Sequence, residues 1–155
     1  MDGKPSTEDS PVATWNPRGA SEAAVKELTA RGVNTSVVRL PQVHDTRKQG
    51  LAPYLLAVSR EKGVSPYIGD GGNRWPAAHL SDVARLYRLA FEKAEHGAIY
   101  HAVDEEGVTM KAIVEAHGRG LKAPVVSIKP GEVEAHFGWL ARFAVIDMPS
   151  SREKP

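Results

Sequence analysis

Helix and strand signals alternate along most of the chain, and that alternation limits the possible folds more than any other feature. Ala20, Ala23, Ala24 and Leu28 share one helical face, and Gly32 follows as a stop. Val33 to Leu40 is rich in β-branched residues and is expected to be a strand. Its apolar residues do not alternate, since Val37 and Val38 are adjacent. That suits a strand covered on both faces, as in a parallel sheet. Leu51, Leu55 and Val58 predict a second helix ending at Gly63, then a short strand from Val64 to Ile68. Gly69 to Pro76 reads as a glycine-rich loop. Ser81 is a candidate cap for a third helix with Val83, Leu86, Tyr87, Ala90 and Ala94 on its inner face. Ala98 to Val103 is a further strand. Thr109 would cap a helix whose face carries Met110, Ile113, Val114, His117 and Leu121. Val125 to Ile128 is a short strand, and 132–146 is helical with a break near Gly138. The expected class is α/β with at least some parallel pairing.

The flanks carry no such pattern. Residues 1–19 hold three Pro and two Gly among polar residues and are expected as a flexible lead-in. Residues 149–155 read as a polar tail. The 155 residues suit one domain. Twenty Lys+Arg against nineteen Asp+Glu give a net charge of +1, which lacks the basic footprint of a nucleic-acid binder. No cysteine is present, so disulfides, thiolate metal sites and cysteine nucleophiles are excluded. No apolar run approaches the roughly 18 residues of a membrane span, and Met1 to Ser10 lacks a signal-peptide core. The expected setting is the cytoplasm, with no membrane and no nucleic-acid partner.

Motif by motif, little chemistry stands out. The six His, at 44, 79, 96, 101, 117 and 136, form no metal-ligand spacing, so no metal site is expected. His117 lies on an apolar helix face and reads as a buried, hydrogen-bonded histidine. Gly69 and Gly71 supply two positions of a dinucleotide fingerprint, but Arg74 stands third. Gly118 and Gly120 supply two, with Ala123 third. A plain tight turn is the favoured reading of Gly69-Asp70-Gly71-Gly72. The Trp residues at 15, 75 and 139 are scattered and read as core packing or loop anchors. Trp75 differs from the others. It sits beside Asn73 and Arg74 in the glycine-rich loop, and such loops often line pockets.

Four stretches, taken in order, carry a resemblance. Gly19-Ala20-Ser21-Glu22-Ala23-Ala24 leads into Val37-Val38-Arg39-Leu40-Pro41-Gln42-Val43-His44. Gly69-Asp70-Gly71 leads to His79-Leu80-Ser81-Asp82-Val83-Ala84. Then come Ala98-Ile99-Tyr100-His101-Ala102-Val103, and Val108-Thr109 with the helix to Leu121. Their order and spacing resemble the C-terminal part of extended short-chain dehydrogenases, the NAD-dependent epimerase/dehydratase family. The resemblance spans residues 18–128.

It implies that residues 20–148 are the C-terminal part of an NAD(P)-binding epimerase/dehydratase-like domain: a truncated Rossmann-like parallel sheet, limited to its last strands, with the smaller C-terminal substrate domain. It implies NAD or NADP in the parent family and a small-molecule substrate. Leu40, Pro41, Gln42 and Val43 fall where the family backbone passes the nicotinamide. Gln42, His44, Asn73, Arg74, Trp75 and His79 fall at or beside substrate positions, and Gln42, Asn73, Arg74, Trp75 and His79 are expected to converge on one concavity. Trp75 aligns with the family's diphosphate-gripping Arg, which argues for a smaller or less charged substrate. The catalytic YxxxK pair is not matched, because Arg18 stands at the Tyr and Glu22 at the Lys. No catalytic residue is therefore assigned. The cofactor fingerprint is also missing, so the chain alone is expected to bind no cofactor and to be inactive. The alternative is a non-catalytic small-molecule-binding or interaction module docking on an intact family member. An exposed sheet edge would also permit self-association.

Overall fold

The computed structural model describes residues 3–13, 16–48 and 50–153. Trp15 lies outside the described residues.

Helix α1 (Gly19–Ala30) leads to strand β1 (Ser36–Arg39) and, after Pro41, to β2 (Gln42–His44). Helix α2 (Ala52–Lys62) closes on Gly63 and is followed by β3 (Ser65–Ile68). Strand β4 (Arg74–His79) feeds α3 (Leu80–Lys93), then β5 (Ala98–His101) and β6 (Glu105–Thr109). Helix α4 (Met110–Leu121), strand β7 (Val125–Ile128) and two short helices, α5 (Val133–Phe137) and α6 (Ala141–Ala144), complete the order.

Strands β1 and β5 pair in parallel, with α3 on the crossover between them. Strands β3 and β7 also pair in parallel. Strand β4 lies between β2, which runs parallel to it, and β6, which runs antiparallel. This is the α/β architecture expected.

Four differences from the sequence expectation have physical causes. The strand at Val33–Leu40 shortens to Ser36–Arg39, because Val33 closes α1 by donating to the Leu28 carbonyl. The glycine-rich loop ends at Asn73, and Arg74–Pro76 belong to β4. Pro76 has no N–H for the ladder, and the register shifts between Trp75 and Ala77 to pass it. His79, not Ser81, caps α3: its Nδ1 accepts the Ser81 backbone N–H. Strand β6 opens on two glutamates, so it carries no β signal, and its pairing with β4 creates it.

The flanks are also held. Ser6 bridges Ser150, and the Glu8 side chain is buried, with its Oε1 accepting the His101 N–H. The break at Gly138 is present, and its backbone adopts φ 52°.

Two cores result. The larger joins Leu55, Trp75, Met110, Val114, Ile128, Phe137 and Leu140 between α2, α4 and the C-terminal helices. The smaller joins Ala78, Val83 and Ala102, with Val38, Val43 and Leu86 against them. Burial on this scale contributes roughly 1.5–3 kcal/mol per large side chain, so most of the stabilisation sits in the first.

Candidate functional site

Parallel strand pairs place loops and helix starts at their carboxyl ends, where open α/β sheets take ligands. Leu40 and Pro41 follow the end of β1, and Leu40 is exposed. Gln42 lies opposite Ala77 and His44 opposite His79. The two imidazoles meet edge to face at 5.8 Å. Gln42 Oε1 accepts the Leu51 N–H at 3.0 Å, which ties the strand end to the start of α2. Val43 faces the smaller core.

The expected five-residue concavity of Gln42, Asn73, Arg74, Trp75 and His79 is not formed. Trp75 is only 2% exposed and packs in the larger core, where its indole N–H donates to the Phe143 carbonyl. Asn73 donates to the Ala144 and Ile146 carbonyls. Arg74 donates from its backbone N–H, Nε and Nη2 to the Asp147 carboxylate at 2.8, 3.0 and 2.8 Å. All three thus hold the segment 143–147. The cause is tertiary: the register of β4 turns a large apolar ring inward, and the fold brings the Arg74 guanidinium to Asp147, 73 residues away, where the two pair. The Asp147 carboxyl is held below the usual carboxylate range, chiefly by the Arg74 side chain. His79 is exposed and occupied by the α3 cap. Gln42 and His44 thus remain together with His79 on one side of β2 and β4, apart from the Asn73–Trp75 cluster.

The glycine turn keeps its N–H groups for internal partners. Gly69 N–H donates to Ile128, Gly71 N–H to Ile68, and Gly72 N–H to the Asp70 carboxylate. A cradle needs such groups free to face a phosphate. These three are satisfied internally, and a carboxylate stands among them, so a tight turn is the correct description.

Glu22, at the position of the family Lys, pairs with Arg39 through both oxygens, Nε–Oε1 at 3.0 Å and Nη2–Oε2 at 2.9 Å. Arg39 also donates to the carbonyls of Thr7, Glu8 and Ser10. The pair fastens the N-terminal segment to the end of β1. Sequence reasoning placed both residues but missed their pairing; the opposite charges, one on α1 and one at the β1 end, were the available signal. A groove of about 770 Å³ lies between α1, β1, β5 and residues 8–12, and holds none of the predicted site residues. No group of three or more metal-ligating side chains occurs among the described residues.

Sequence reasoning also missed an aromatic cluster. Tyr54 on α2 and Trp139 meet at 5.2 Å and 81°, and Trp139 and Phe143 meet at 6.2 Å and 75°. The Arg142 guanidinium lies over the Phe143 ring at 5.2 Å. The signal was the Gly138-Trp139 pair inside a helical stretch.

No protein-family model matches the chain. An uncharacterized protein of Schizosaccharomyces pombe is 43% identical over 136 residues, covering 87% of this chain and 46% of that protein. An uncharacterized protein of Saccharomyces cerevisiae is 38% identical over 137 residues, covering 88% and 46%. The chain therefore spans about half the length of the curated relatives it matches. Among solved structures, a dTDP-glucose 4,6-dehydratase of Streptomyces venezuelae with NAD and TYD bound has a TM-score of 0.66 at 20% identity, covering 97% of this chain and 51% of that one. A Thermus thermophilus UDP-glucose 4-epimerase in complex with NAD has a TM-score of 0.65 at 18% identity, covering 98% and 50%. The chain has the Rossmann-like α/β fold of about half of each of these enzymes.

Proposed function

We propose that this chain is the substrate side of an NAD(P)-linked epimerase/dehydratase-like oxidoreductase and is not a competent enzyme by itself. The observation that carries the reading is one continuous path. Helix α1, β1, the Leu40-Pro41 turn and β2 follow one another, and β1–α3–β5 closes a parallel crossover. The same path lies within half of an epimerase and half of a dehydratase, each described with NAD.

The residues present do not fit a whole dinucleotide. Leu40 to Val43 offer one strand end, and the glycine turn has its N–H groups occupied. Glu22 cannot replace a ribose-holding Lys, because its charge is opposite and Arg39 holds it. No step through the cofactor is derived. Gln42, His44 and His79 are the residues we assign to the substrate, while Asn73, Arg74 and Trp75 hold the segment 143–147 instead. Calorimetric titration with NADH and with NADPH tests this. Binding weaker than millimolar is expected, and a micromolar dissociation constant for either would overturn the non-enzyme reading.

A second reading is favoured by α1, which has no buried residue, and by the unpaired edge of β1 among the described residues. In it the chain is a binding module that docks on an intact relative through that edge. Co-purification with a longer relative would separate the two.

A further inference from the structure

We propose that the free edge of β1, beside α1, takes a parallel β-strand from a separate polypeptide equivalent to the part of the longer relatives that this chain does not span. The proposal rests on the reading of the chain as half of a longer fold, and not on any cofactor.

Four observations select a strand, its direction and its side. First, β1 is built as an inner strand. Val37 lines the groove beside α1, and Arg39 pairs with Glu22 of α1. Val38 packs on the other face with Val83 and Leu86 of α3. A strand with a helix on each face belongs inside a parallel sheet. Yet among the described residues β1 pairs only with β5, and neither Val37 nor Val38 is fully buried. Lasting edges are protected by Lys, Pro or a bulge. Ser36–Arg39 has none of these, and its one charge is tied to Glu22. Second, connectivity gives the direction. A helix that packs on the strand it feeds is the crossover of a βαβ unit, whose two strands run parallel. Helix α1 with β1 is such a unit without its first strand, and the edge opposite β5 is the place for it. Third, the segment ahead of α1 does not fill that place. Among the described residues none of it pairs with β1, and the carbonyls of Thr7, Glu8 and Ser10 are held by Arg39 at the strand end. Fourth, α1 marks the side. Gly19, Ala23, Lys26 and Ala30 line the groove that α1 shares with β5. By helical periodicity Leu28 lies on the opposite flank, toward the free edge, and it is 40% exposed. An apolar strand there would cover it. The match covers 46% of each fungal relative, so more than half of each is available to supply the strand.

The test partner is the portion of the Schizosaccharomyces pombe relative outside the matched 136 residues, co-expressed with the full chain. A one-to-one complex is expected by light scattering, and self-association of the chain should fall as it forms. In the complex, β1 amides should exchange at least about 10-fold more slowly than in the chain alone, because the edge is then hydrogen-bonded. Leu28→Lys changes a side chain already in contact with water. It should weaken the complex at least about 10-fold, through the lost burial of a leucine. Ala23→Lys, on the groove flank, should leave the affinity unchanged. The intact relative should bind at least about 10-fold more weakly than its isolated portion, since its own strand competes for the place. Any of four results would overturn the proposal: no complex, β1 amides unprotected in the complex, equal binding of the intact relative, or a larger loss from Ala23→Lys than from Leu28→Lys. A chain that stays paired with a second copy of itself counts as the first. If the complex forms as expected but takes up neither NADH nor NADPH, the strand site stands and the oxidoreductase reading fails. If no complex forms while the intact relative binds either cofactor, the strand site fails and that reading stands.

Discussion

Asp147 shows how one side chain decides what a neighbouring site can do. Its three hydrogen bonds from Arg74 remove the free cation of β4 and fasten the C-terminal segment. Asp147→Asn should destabilise the chain by about 1 kcal/mol, the upper range for a partly exposed pair. It should also speed exchange of the Met148 amide, which donates to the Arg74 carbonyl. The pH dependence follows from the sign of the shift. Asp147 has a lowered pKa in the folded state, so the stabilisation is full above the unfolded value of about 3.9. It disappears as pH falls through the lower folded value. Denaturant unfolding of both proteins at neutral pH and near pH 2 checks this: the difference should close in acid. His117 works in the opposite way to a stabilising pair. Its Nδ1 is buried without a partner, and burial lowers its pKa. Protonation therefore favours the unfolded chain once pH drops below about 6.5. His117→Leu should raise stability by about 1 kcal/mol at pH 5 and by less at pH 8. An equal gain at both would show that the imidazole is solvated.

At the scale of elements, helix α4 separates propensity from packing. Alanine is worth about 1 kcal/mol over glycine within a helix. At Gly120 an added Cβ would meet nothing within 4 Å. At Gly118 it would stand 2.6 Å from Val125 Cγ2 and 3.0 Å from the Ala123 carbonyl oxygen. Gly120→Ala should therefore stabilise and Gly118→Ala should destabilise by roughly 1–2 kcal/mol, an overpacking cost that outweighs propensity. Thermal melts of the two variants decide it. The same helix shows how far the sequence could be read. Its Thr109 cap and its Met110 and Val114 face were legible because cap and periodicity are local signals. Strand β6 was not, since pairing creates it. Nor was the destination of Trp75. Whether an aromatic residue in a glycine-rich stretch points into a core or a pocket depends on strand register, and the shift at Pro76 sets that register only in the folded chain. The aromatic cluster was hidden for a similar reason: Tyr54 and Trp139 are far apart in sequence and meet only through α2 and the C-terminal helices.

The molecule as a whole is uneven. The side built on β3, β7, α2 and α4 encloses a continuous core. Among the described residues, the side built on α1, β1 and β5 has only two paired strands, and its helix α1 has no buried residue. Two strands are marginal alone in water, and an unpaired edge invites another strand. Concentration-dependent self-association by light scattering is expected, and Val37→Lys on β1 should reduce it. In the proposed function the chain folds its substrate side fully and leaves its cofactor side open. Amide hydrogen exchange of the full chain under native conditions tests this most directly. The β3, β7 and α4 amides should exchange only through global unfolding, while α1 and β1 amides should exchange at least about 100-fold faster through local opening. Equal protection across both sides would contradict it.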